Sequence, residues 1–194
     1  IFKLRMQKIL ILGASGDLAK AVVKKINKKN NKIYKLKKKD INFLNKDSQK
    51  KLFHILKKIN PDVIVNCIGF FDTNKGDFDK IFKSNLLPVW LLIKYYLLNK
   101  KSKVKVILIG SNSYNQPRKD YILYTAAKTA LNNVQASAKE FFDGSLINFH
   151  VINPPAMKSR MRLKAMKLLK QRIKNKPAKN PEEIAKQIIK RATI

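Results

Sequence analysis

Short apolar runs alternate with stretches of helical periodicity along the whole chain. The apolar runs predict strands at residues 8–12, 32–36, 62–67, 103–109 and 146–152. Helical spacing predicts helices at residues 18–29, 46–59, 77–100 and 120–142, followed by two basic helices at about residues 159–174 and 181–191. Because parallel strands need long crossover connections, this order predicts an α/β fold, a doubly wound parallel sheet with helices on both faces.

Pro88 lies inside the longest predicted helix. Proline has no N–H and its ring clashes with the preceding turn, so a kink or a restart of the helix is expected there. The longest apolar run, residues 86–98, contains 13 residues and is broken by Lys94. A helix that spans a bilayer needs about 20 apolar residues, so no membrane span is expected.

The composition fits one globular domain. The chain has 194 residues, of which 45% are hydrophobic, enough to bury a sizeable core. Cys67 is the only cysteine, which excludes a disulfide framework and favours a reducing, cytoplasmic location. His54 and His150 have no companions at ligand spacing, so no metal site is expected.

The chain is strongly basic, with a formal net charge of +31. Lysines and arginines crowd residues 24–39 and residues 158–179, and neither segment contains an acidic residue. Such fields attract phosphates, nucleic acid or anionic lipid surfaces, and the attraction weakens with salt. A specific polyanion partner and an ordinary solvated surface both remain open at this point.

A glycine-containing turn joins the first strand to the first helix. Its sequence is Gly13-Ala14-Ser15-Gly16-Asp17-Leu18. Backbone N–H groups at a helix N-terminus donate to phosphate, and glycine allows a diphosphate to approach closely. The turn therefore predicts a dinucleotide site, with a tight turn without ligand as the alternative.

The residues after the second strand indicate which dinucleotide is bound. An acidic residue there would bind a ribose 2′-hydroxyl, but Leu36 is followed by Lys37 and Lys38. Cations suit a 2′-phosphate, so NADP is favoured over NAD, with Asp40 and Ile41 near the adenine. A solvated lysine surface is again the alternative.

Tyr124 and Lys128 lie four residues apart in a predicted helix and therefore share one face of it. A nearby ammonium favours phenolate, so we expect the pKa of Tyr124 to fall and the phenol to exchange a proton with a substrate oxygen. Ser111 precedes Tyr124 by 13 residues, just past a predicted strand, and could bind the same oxygen. Asn85 precedes Ser111 by 26 residues.

Taken in order, these residues resemble the short-chain dehydrogenase/reductase family. Residues 66–69 (NCIG) stand where that family has NNAG, and residues 153–159 stand where it has PG and a downstream Thr. The resemblance implies a single NAD(P)-binding Rossmann domain over residues 1–194, a three-layer αβα sandwich with a basic, substrate-side helical segment at about residues 158–194. It also implies an oxidoreductase that acts on a small carbonyl or alcohol substrate and assembles as a homo-oligomer.

The resemblance also assigns roles to individual residues. Tyr124 would be the general acid/base, Lys128 would lower its pKa and hold the nicotinamide ribose, and Ser111 would orient the carbonyl. Asn85 would support a proton-relay water. The implied cofactor contacts are Gly13, Ser15, Gly16, Asp17, Leu18, Lys37, Lys38, Asp40, Ile41, Asn66, Gly69, Tyr124, Lys128, Pro154 and Met157.

Three features depart from the family pattern: the GxxGxxA spacing of the turn, Pro155 in place of a glycine, and no final strand after the basic helices. Residues 111–124 and 152–162 look like reductase domains of CDP-ribitol synthesis, and residues 60–66 are similar to dTDP-sugar reductases. These resemblances imply a sugar that carries phosphate, which Arg160 and Arg162 could meet.

Several residues have a second interpretation. Ser113 could replace Ser111 as the catalytic serine, although its spacing to Tyr124 is 11. Tyr121 is expected to pack or to line the pocket, and Cys67 to be a small core residue rather than a nucleophile. The helical stripe of Leu86, Trp90, Ile93 and Leu97 fits a core or a dimer interface. The alternative function is a noncatalytic nucleotide-sensing or nucleic-acid-binding module, which the net charge supports but the presence of Ser111, Tyr124 and Lys128 disfavours.

Overall fold

The five apolar runs form the strands of one parallel sheet in the computed structural model, which describes residues 5–99, 103–116, 118–142, 146–170 and 177–192. The strands are β1 (Gln7–Leu12), β2 (Asn31–Leu36), β3 (Val63–Asn66), β4 (Val104–Ile109) and β5 (Ile147–Ile152). The helices within the described residues are α1 (Asp17–Lys25), α2 (Ser48–Ile59), α3 (Phe78–Asn85), α4 (Leu87–Leu98), α5 (Ile122–Phe141), α6 (Arg160–Leu168) and α7 (Pro181–Ala192). A short 3₁₀ helix, Asn112–Asn115, was not predicted.

The strand order is β2-β1-β3-β4-β5, and every neighbouring pair is parallel. From β1 the chain crosses to one side to form β2, and then to the other side to form β3. Such a reversal opens a crevice at the carboxyl ends of the two central strands, where ligands bind in folds of this kind. The predicted doubly wound parallel sheet is confirmed.

The strand side chains alternate between two cores because successive residues of a strand point to opposite faces. Ile9 and Ile11 of β1 pack with α1 and α7, whereas Leu10 and Leu12 pack with α2, α4 and α5. All four side chains are fully buried. The sheet is therefore the middle layer of three, with helices packed on both of its faces.

The predicted long helix divides where Pro88 suggested. α3 ends at Asn85, and α4 begins at Leu87 with Pro88 in its first turn, where a missing N–H costs nothing. The two axes differ by 42°. Because of this break, Asn85 is the last residue of α3. Lys100, the expected end of the predicted helix, lies outside the described residues.

Within the described ranges, no single helix is both long and apolar enough to cross a membrane. α3 and α4 meet that criterion only when they are taken together as a bent pair.

The C-terminal helices bring a basic segment to the glycine turn. α7 packs against α1 through Ile184, Ala185 and Ile188, all of them fully buried. Lys179 donates its N–H to Ala156 O (2.9 Å) and its carbonyl accepts from Lys158 N (2.9 Å), which fixes the entry to α6. The predicted helix at residues 159–174 ends at Leu168, and its residues 171–174 lie outside the described part of the chain.

Candidate active site

The glycine turn leaves donors at the N-terminus of α1. Gly13 has a φ of +73°, and a Cβ there would lie 3.0 Å from both Ile68 N and Ile68 Cγ1, so the position requires glycine. Gly16 N donates to Gly13 O (3.0 Å), and Gly16 is the N-cap residue of α1. Because glycine has no side chain to cap the helix, the first N–H groups of α1 remain for a ligand.

The end of β2 lies beside this turn. Ala14 N donates to Leu36 O (2.9 Å), which brings the following lysines to the same edge of the sheet. Lys37 and Lys38 are exposed, and Asp40 accepts a hydrogen bond from Lys37 N (2.8 Å). Ile41 is buried in the core, so only its main chain could face an adenine. The turn, the N-terminus of α1 and the lysines lie at the same edge of the sheet, and their donors fit a dinucleotide.

The loop after β3 joins the glycine turn to the predicted catalytic residues. Asn66 is buried, and its Oδ1 accepts from Ile68 N (3.2 Å). A methyl group placed on Gly69 would lie 3.5 Å from Asn85 Oδ1 and 3.5 Å from Lys128 Nζ. Residues far apart in sequence thus meet at Gly69.

Asn85 uses its whole side chain to hold that loop. Its Nδ2 donates to Phe70 O (2.8 Å) and to Ile81 O (2.8 Å), and its Oδ1 accepts from Phe70 N (3.4 Å). The side chain is almost completely buried. The support of a proton-relay water by Asn85 stays a prediction.

Tyr124 lies in an aromatic cluster, near the Ser111 hydroxyl. The Phe71 ring is 5.0 Å from the Tyr124 ring and 5.1 Å from the Tyr121 ring, which agrees with the packing expected of Tyr121. Burial raises the pKa of Tyr124 to about 12, although the Ser111 hydroxyl lowers it. The expectation of a lowered tyrosine pKa is wrong for this structure, because desolvation of the phenolate is the larger effect.

Lys128 belongs to α5, and its buried ammonium group lies at the carboxyl end of β4. Its Nζ donates to Ile109 O (3.0 Å) and lies 5.7 Å from the centre of the Tyr124 ring. Burial lowers the pKa of Lys128 to about 8. Its nearest recorded partner is a carbonyl rather than the phenol oxygen, and its effect on Tyr124 is correspondingly small.

Ser111 and Ser113 lie side by side, with Ser111 nearer the phenol. Their Oγ atoms are 2.7 Å apart, and Ser113 N donates to Ser111 Oγ (3.2 Å). Ser113 is 3% exposed, whereas Ser111 is partly open and contacts Tyr124. The structure thus brings Ser111 to Tyr124 and leaves Ser113 behind it as a partner of its hydroxyl.

Sequence reasoning missed an asparagine pair that holds Ser111. Asn153 Oδ1 accepts from Ser111 N (3.1 Å), and Asn153 Nδ2 donates to Asn132 Oδ1 (2.7 Å). A Cβ at Gly110 would lie 2.0 Å from Asn153 Oδ1, so only glycine leaves room for this contact. The glycine directly before Ser111 was the available signal.

Two lysines near the same loop were also missed. Lys80 of α3 and Lys164 of α6 lie 4.8 Å and 5.0 Å from the centre of the Phe70 ring. Met161 Cε lies 3.6 Å from the position of a Cβ on Gly69, so α6 crosses the loop. Nothing in the spacing of these residues indicates that two helices would meet at one aromatic ring.

The remaining predicted residues surround the entry to α6. Pro154 O accepts from Asn112 N (3.0 Å), and Met157 forms an isolated parallel bridge with Lys179. A cleft of about 750 Å³ lies beside α6, lined by Asp17, Lys158, Ser159, Arg160, Arg162, Leu163, Met166, Pro177 and Ala178. In this cleft, Arg160 contacts the glycine turn. The expected contact between Arg160 and a substrate phosphate would require the Arg160 side chain to approach Tyr124.

A family model described as short chain dehydrogenase matches residues 6–168 of this chain. A comparison with curated proteins gave no match.

Solved structures with similar folds include three oxidoreductases. Aldohexose dehydrogenase of Thermoplasma acidophilum has a TM-score of 0.79 at 18% identity, covering 98% of this chain and 90% of that one. The 3-ketoacyl-(acyl-carrier-protein) reductase of Brucella melitensis, complexed with NADH, has a TM-score of 0.78 at 16% identity, covering 99% and 95%. The dTDP-4-dehydrorhamnose reductase of Bacillus anthracis, in complex with NADP, has a TM-score of 0.70 at 16% identity, covering 97% and 71%.

The lowered pKa of Lys128 makes stability depend on pH. Between about 8 in the folded state and 10.5 in the unfolded state, the unfolded chain binds more protons, so stability rises with pH. The free energy of unfolding of the native protein should therefore rise relative to that of Lys128→Met as the pH increases from 7 to 9. Parallel urea titrations measure this difference.

Lys57→Met, at an exposed position of α2, controls for the loss of one ammonium group. The series stops at pH 9 because burial raises the pKa of Cys67 to about 12, and this shift acts with the opposite sign above the ordinary thiol value of 9.0. A difference between native protein and Lys128→Met that stays constant over the range would contradict the prediction.

Proposed function

The chain belongs to the short-chain dehydrogenase/reductase family, and from this premise we propose that it transfers hydride between NADP(H) and a secondary alcohol or ketone. The observation that carries the proposal is that Ser111, Tyr124 and the buried Lys128 meet at one place: the Ser111 hydroxyl lowers the pKa of the Tyr124 phenol, and Lys128 Nζ lies 5.7 Å from the centre of the Tyr124 ring. Two hydroxyl groups beside the buried Lys128 can bind one carbonyl oxygen and give it a proton. A noncatalytic binding module has no need of this arrangement.

Tyr124 is the proton donor when the proposed reaction runs as a reduction. Reduction adds a hydride to the carbonyl carbon and a proton to the carbonyl oxygen. The Tyr124 phenol is protonated at pH 7, and its phenolate would take the proton back from the alcohol in the reverse direction. Nicotinamide supplies the hydride when the reduced cofactor is bound.

Lys128 and Ser111 position the reacting groups in this proposal. Lys128 Nζ is fixed by Ile109 O (3.0 Å) next to Gly69, where it can hold the hydroxyls of a nicotinamide ribose. Ser111 is fixed through its N–H by Asn153 and through its hydroxyl by Ser113. A carbonyl oxygen would be held between Tyr124 and Ser111 with little loss of side-chain freedom on binding.

The proposed cofactor is NADP. Exposed Lys37 and Lys38 follow β2 next to the glycine turn, and the carboxylate at this strand end, that of Asp40, already accepts from Lys37 N (2.8 Å). A 2′-phosphate would gain charge-assisted hydrogen bonds from the two lysines, which a 2′-hydroxyl would not.

The proposed substrate is a phosphorylated or nucleotide-linked sugar. Its support is the resemblance of residues 111–124 and 152–162 to sugar-phosphate reductases, together with the cationic Lys80 and Lys164 at the loop beside Tyr124. Two of the proteins with similar folds are, by name, an aldohexose dehydrogenase and a dTDP-4-dehydrorhamnose reductase.

Assembly as a homo-oligomer is part of the same proposal. Within the stripe predicted on α4, Leu86, Ile93 and Leu97 pack against the core, whereas Trp90 is 55% exposed. A second copy of the chain would remove this indole from water.

A substrate screen tests the proposed function. Oxidation of NADPH is followed at 340 nm with a panel of ketose phosphates, nucleotide-linked keto sugars and their unphosphorylated analogues. Turnover of at least one carbonyl compound is expected. Absence of turnover across the panel, combined with salt-resistant and sequence-selective binding of nucleic acid, would reject the enzyme in favour of the binding module.

Tyr124→Phe should abolish turnover while it leaves the affinity for NADPH nearly unchanged, because only the proton donor is lost. Proton transfer by a positioned side chain contributes about 10²–10⁴-fold to the rate. Steady-state rates and fluorescence titration with NADPH measure the two effects. Tyr121→Phe removes a hydroxyl from the same aromatic cluster and serves as control; a Tyr124→Phe rate above a tenth of the native rate would remove Tyr124 from the mechanism.

Replacing both Lys37 and Lys38 with Ala should weaken binding of NADP much more than binding of NAD. Loss of hydrogen bonds to a charged group costs about 1–3 kcal/mol, or roughly 5- to 150-fold in the dissociation constant. Lys28→Ala with Lys29→Ala removes the same charge from exposed positions at the other end of β2 and is the matched control. Equal losses for both cofactors would mean that Lys37 and Lys38 act only as surface charge.

Replacing both Lys80 and Lys164 with Ala should raise KM for a phosphorylated substrate found in the screen and spare its unphosphorylated analogue. Each ammonium group lies about 5 Å from the centre of the Phe70 ring, beside the loop that packs on Tyr124, so each is placed to meet a substrate phosphate there. Lys57→Ala with Lys58→Ala, at the exposed end of α2, controls for net charge. Equal changes of KM for the two compounds would exclude these lysines from phosphate recognition.

A further inference from the structure

We propose that Arg160, on the substrate-side helix α6, is a ligand for the diphosphate of the dinucleotide and is held over the glycine turn by Asp17. The inference rests on the proposed function, since it concerns the same cofactor. It adds a residue that lies almost the whole chain away from the turn and that neither the turn sequence nor the catalytic spacing indicates.

Three hydrogen bonds join Arg160 to the turn. Its backbone N–H donates to Asp17 Oδ2 (2.7 Å), its Nε donates to Asp17 Oδ1 (2.9 Å), and its Nη2 donates to Ser15 O (2.6 Å). Asp17 is the first residue of α1 and Arg160 is the first residue of α6. The guanidinium therefore lies across the N-terminus of α1, where a diphosphate would bind.

The guanidinium keeps donors for a ligand in this position. Arginine has five N–H donors in a planar fork, and the contacts to Asp17 and Ser15 use two of them. The Arg160 side chain is 67% exposed, and among the described residues it has no partner besides Asp17 and Ser15. The remaining N–H groups can therefore bind phosphate oxygens without breaking the existing contacts.

The charge of Asp17 makes this arginine necessary. A carboxylate in the first turn of α1 interacts favourably with the helix dipole but repels a diphosphate at the same place. Asp17 is mostly covered, with 26% of its side chain exposed, so water screens this repulsion less than at an open surface. Arg160 neutralises the carboxylate and replaces the repulsion with hydrogen-bond donors.

The same contact connects the cofactor turn to the substrate side of the site. α6 begins at Arg160 and then carries Met161 to Gly69 and Lys164 to Phe70. A diphosphate bound to Arg160 would hold the first turn of α6 against α1. Loss of Arg160 should consequently weaken binding of the dinucleotide. It should also weaken the packing of α6 on the loop that contains Gly69 and Phe70.

Calorimetric titration of the full chain tests the proposal. The probes are NADPH and ADP-ribose, which contain the diphosphate, and adenosine 2′-monophosphate, which does not. The variants are Arg160→Ala, Arg160→Lys and the double variant Asp17→Asn with Arg160→Ala. Lys167→Ala removes a charge from the exposed face of the same helix, seven residues or about 10 Å away, and is the matched control.

Arg160→Ala should weaken the binding of NADPH and of ADP-ribose by about 10- to 100-fold, the range for hydrogen bonds between charged groups. The affinity for adenosine 2′-monophosphate should stay unchanged. Arg160→Lys should restore only part of the affinity, because an ammonium lacks the planar fork. The double variant should recover part of the loss by removing the repulsion from Asp17. Thermal unfolding without ligand checks that each variant is folded.

Three outcomes would overturn the proposal: a loss below threefold in Arg160→Ala, an equal loss for adenosine 2′-monophosphate, or full recovery of affinity in the double variant. The last would mean that Arg160 only offsets Asp17. If the native protein binds neither NADPH nor NADH, the proposed function itself fails. Normal NADPH binding by both native protein and Arg160→Ala rejects the role of Arg160 alone.

Discussion

The burial of one ammonium group is the constraint on which the site depends. Lys128 comes from α5 and needs an acceptor inside the protein, which the last carbonyl of β4 provides at Ile109 (3.0 Å). That bond fixes the position of α5 against the carboxyl edge of the sheet and therefore sets where Tyr124 lies. It also places a positive charge next to Gly69, at the crevice that the strand order opens.

In the rest of the site, side-chain amides hold the main chain of the neighbouring loops. Asn85 holds the loop before Phe71 through main-chain atoms of Phe70, and Phe71 in turn packs on the ring of Tyr124. Asn153 holds the main chain of Ser111 from β5. Tyr124 and the main chain of Ser111 are thus held by elements other than their own, which is how a site can be rigid before a substrate arrives.

Much of the fold could be read from periodicity, and the reasons differ between elements. The strands of a parallel sheet are buried on both faces, so they appear as short, continuous apolar runs such as residues 104–109, which nearly match the prediction. Helix ends were less exact: α1 was expected to reach Lys29 but ends at Lys25, since lysines have good helix propensity and carry no stop signal. Pro88 marked the division of α3 from α4 correctly because its effect is local.

By itself, the sequence determined the order of the elements, the glycine turn and the spacing that brings Asn85, Ser111, Tyr124 and Lys128 to one edge of a sheet, because backbone geometry fixes these along the chain. Tertiary structure decided the pKa of Tyr124, since burial depends on what packs around the ring. The rise in pKa that burial causes is larger than the lowering expected from the neighbouring ammonium of Lys128. It also decided the partners of Asn153 and Arg160. Contacts between residues 42 or 143 positions apart depend on how helices pack on the sheet, and no local pattern encodes them.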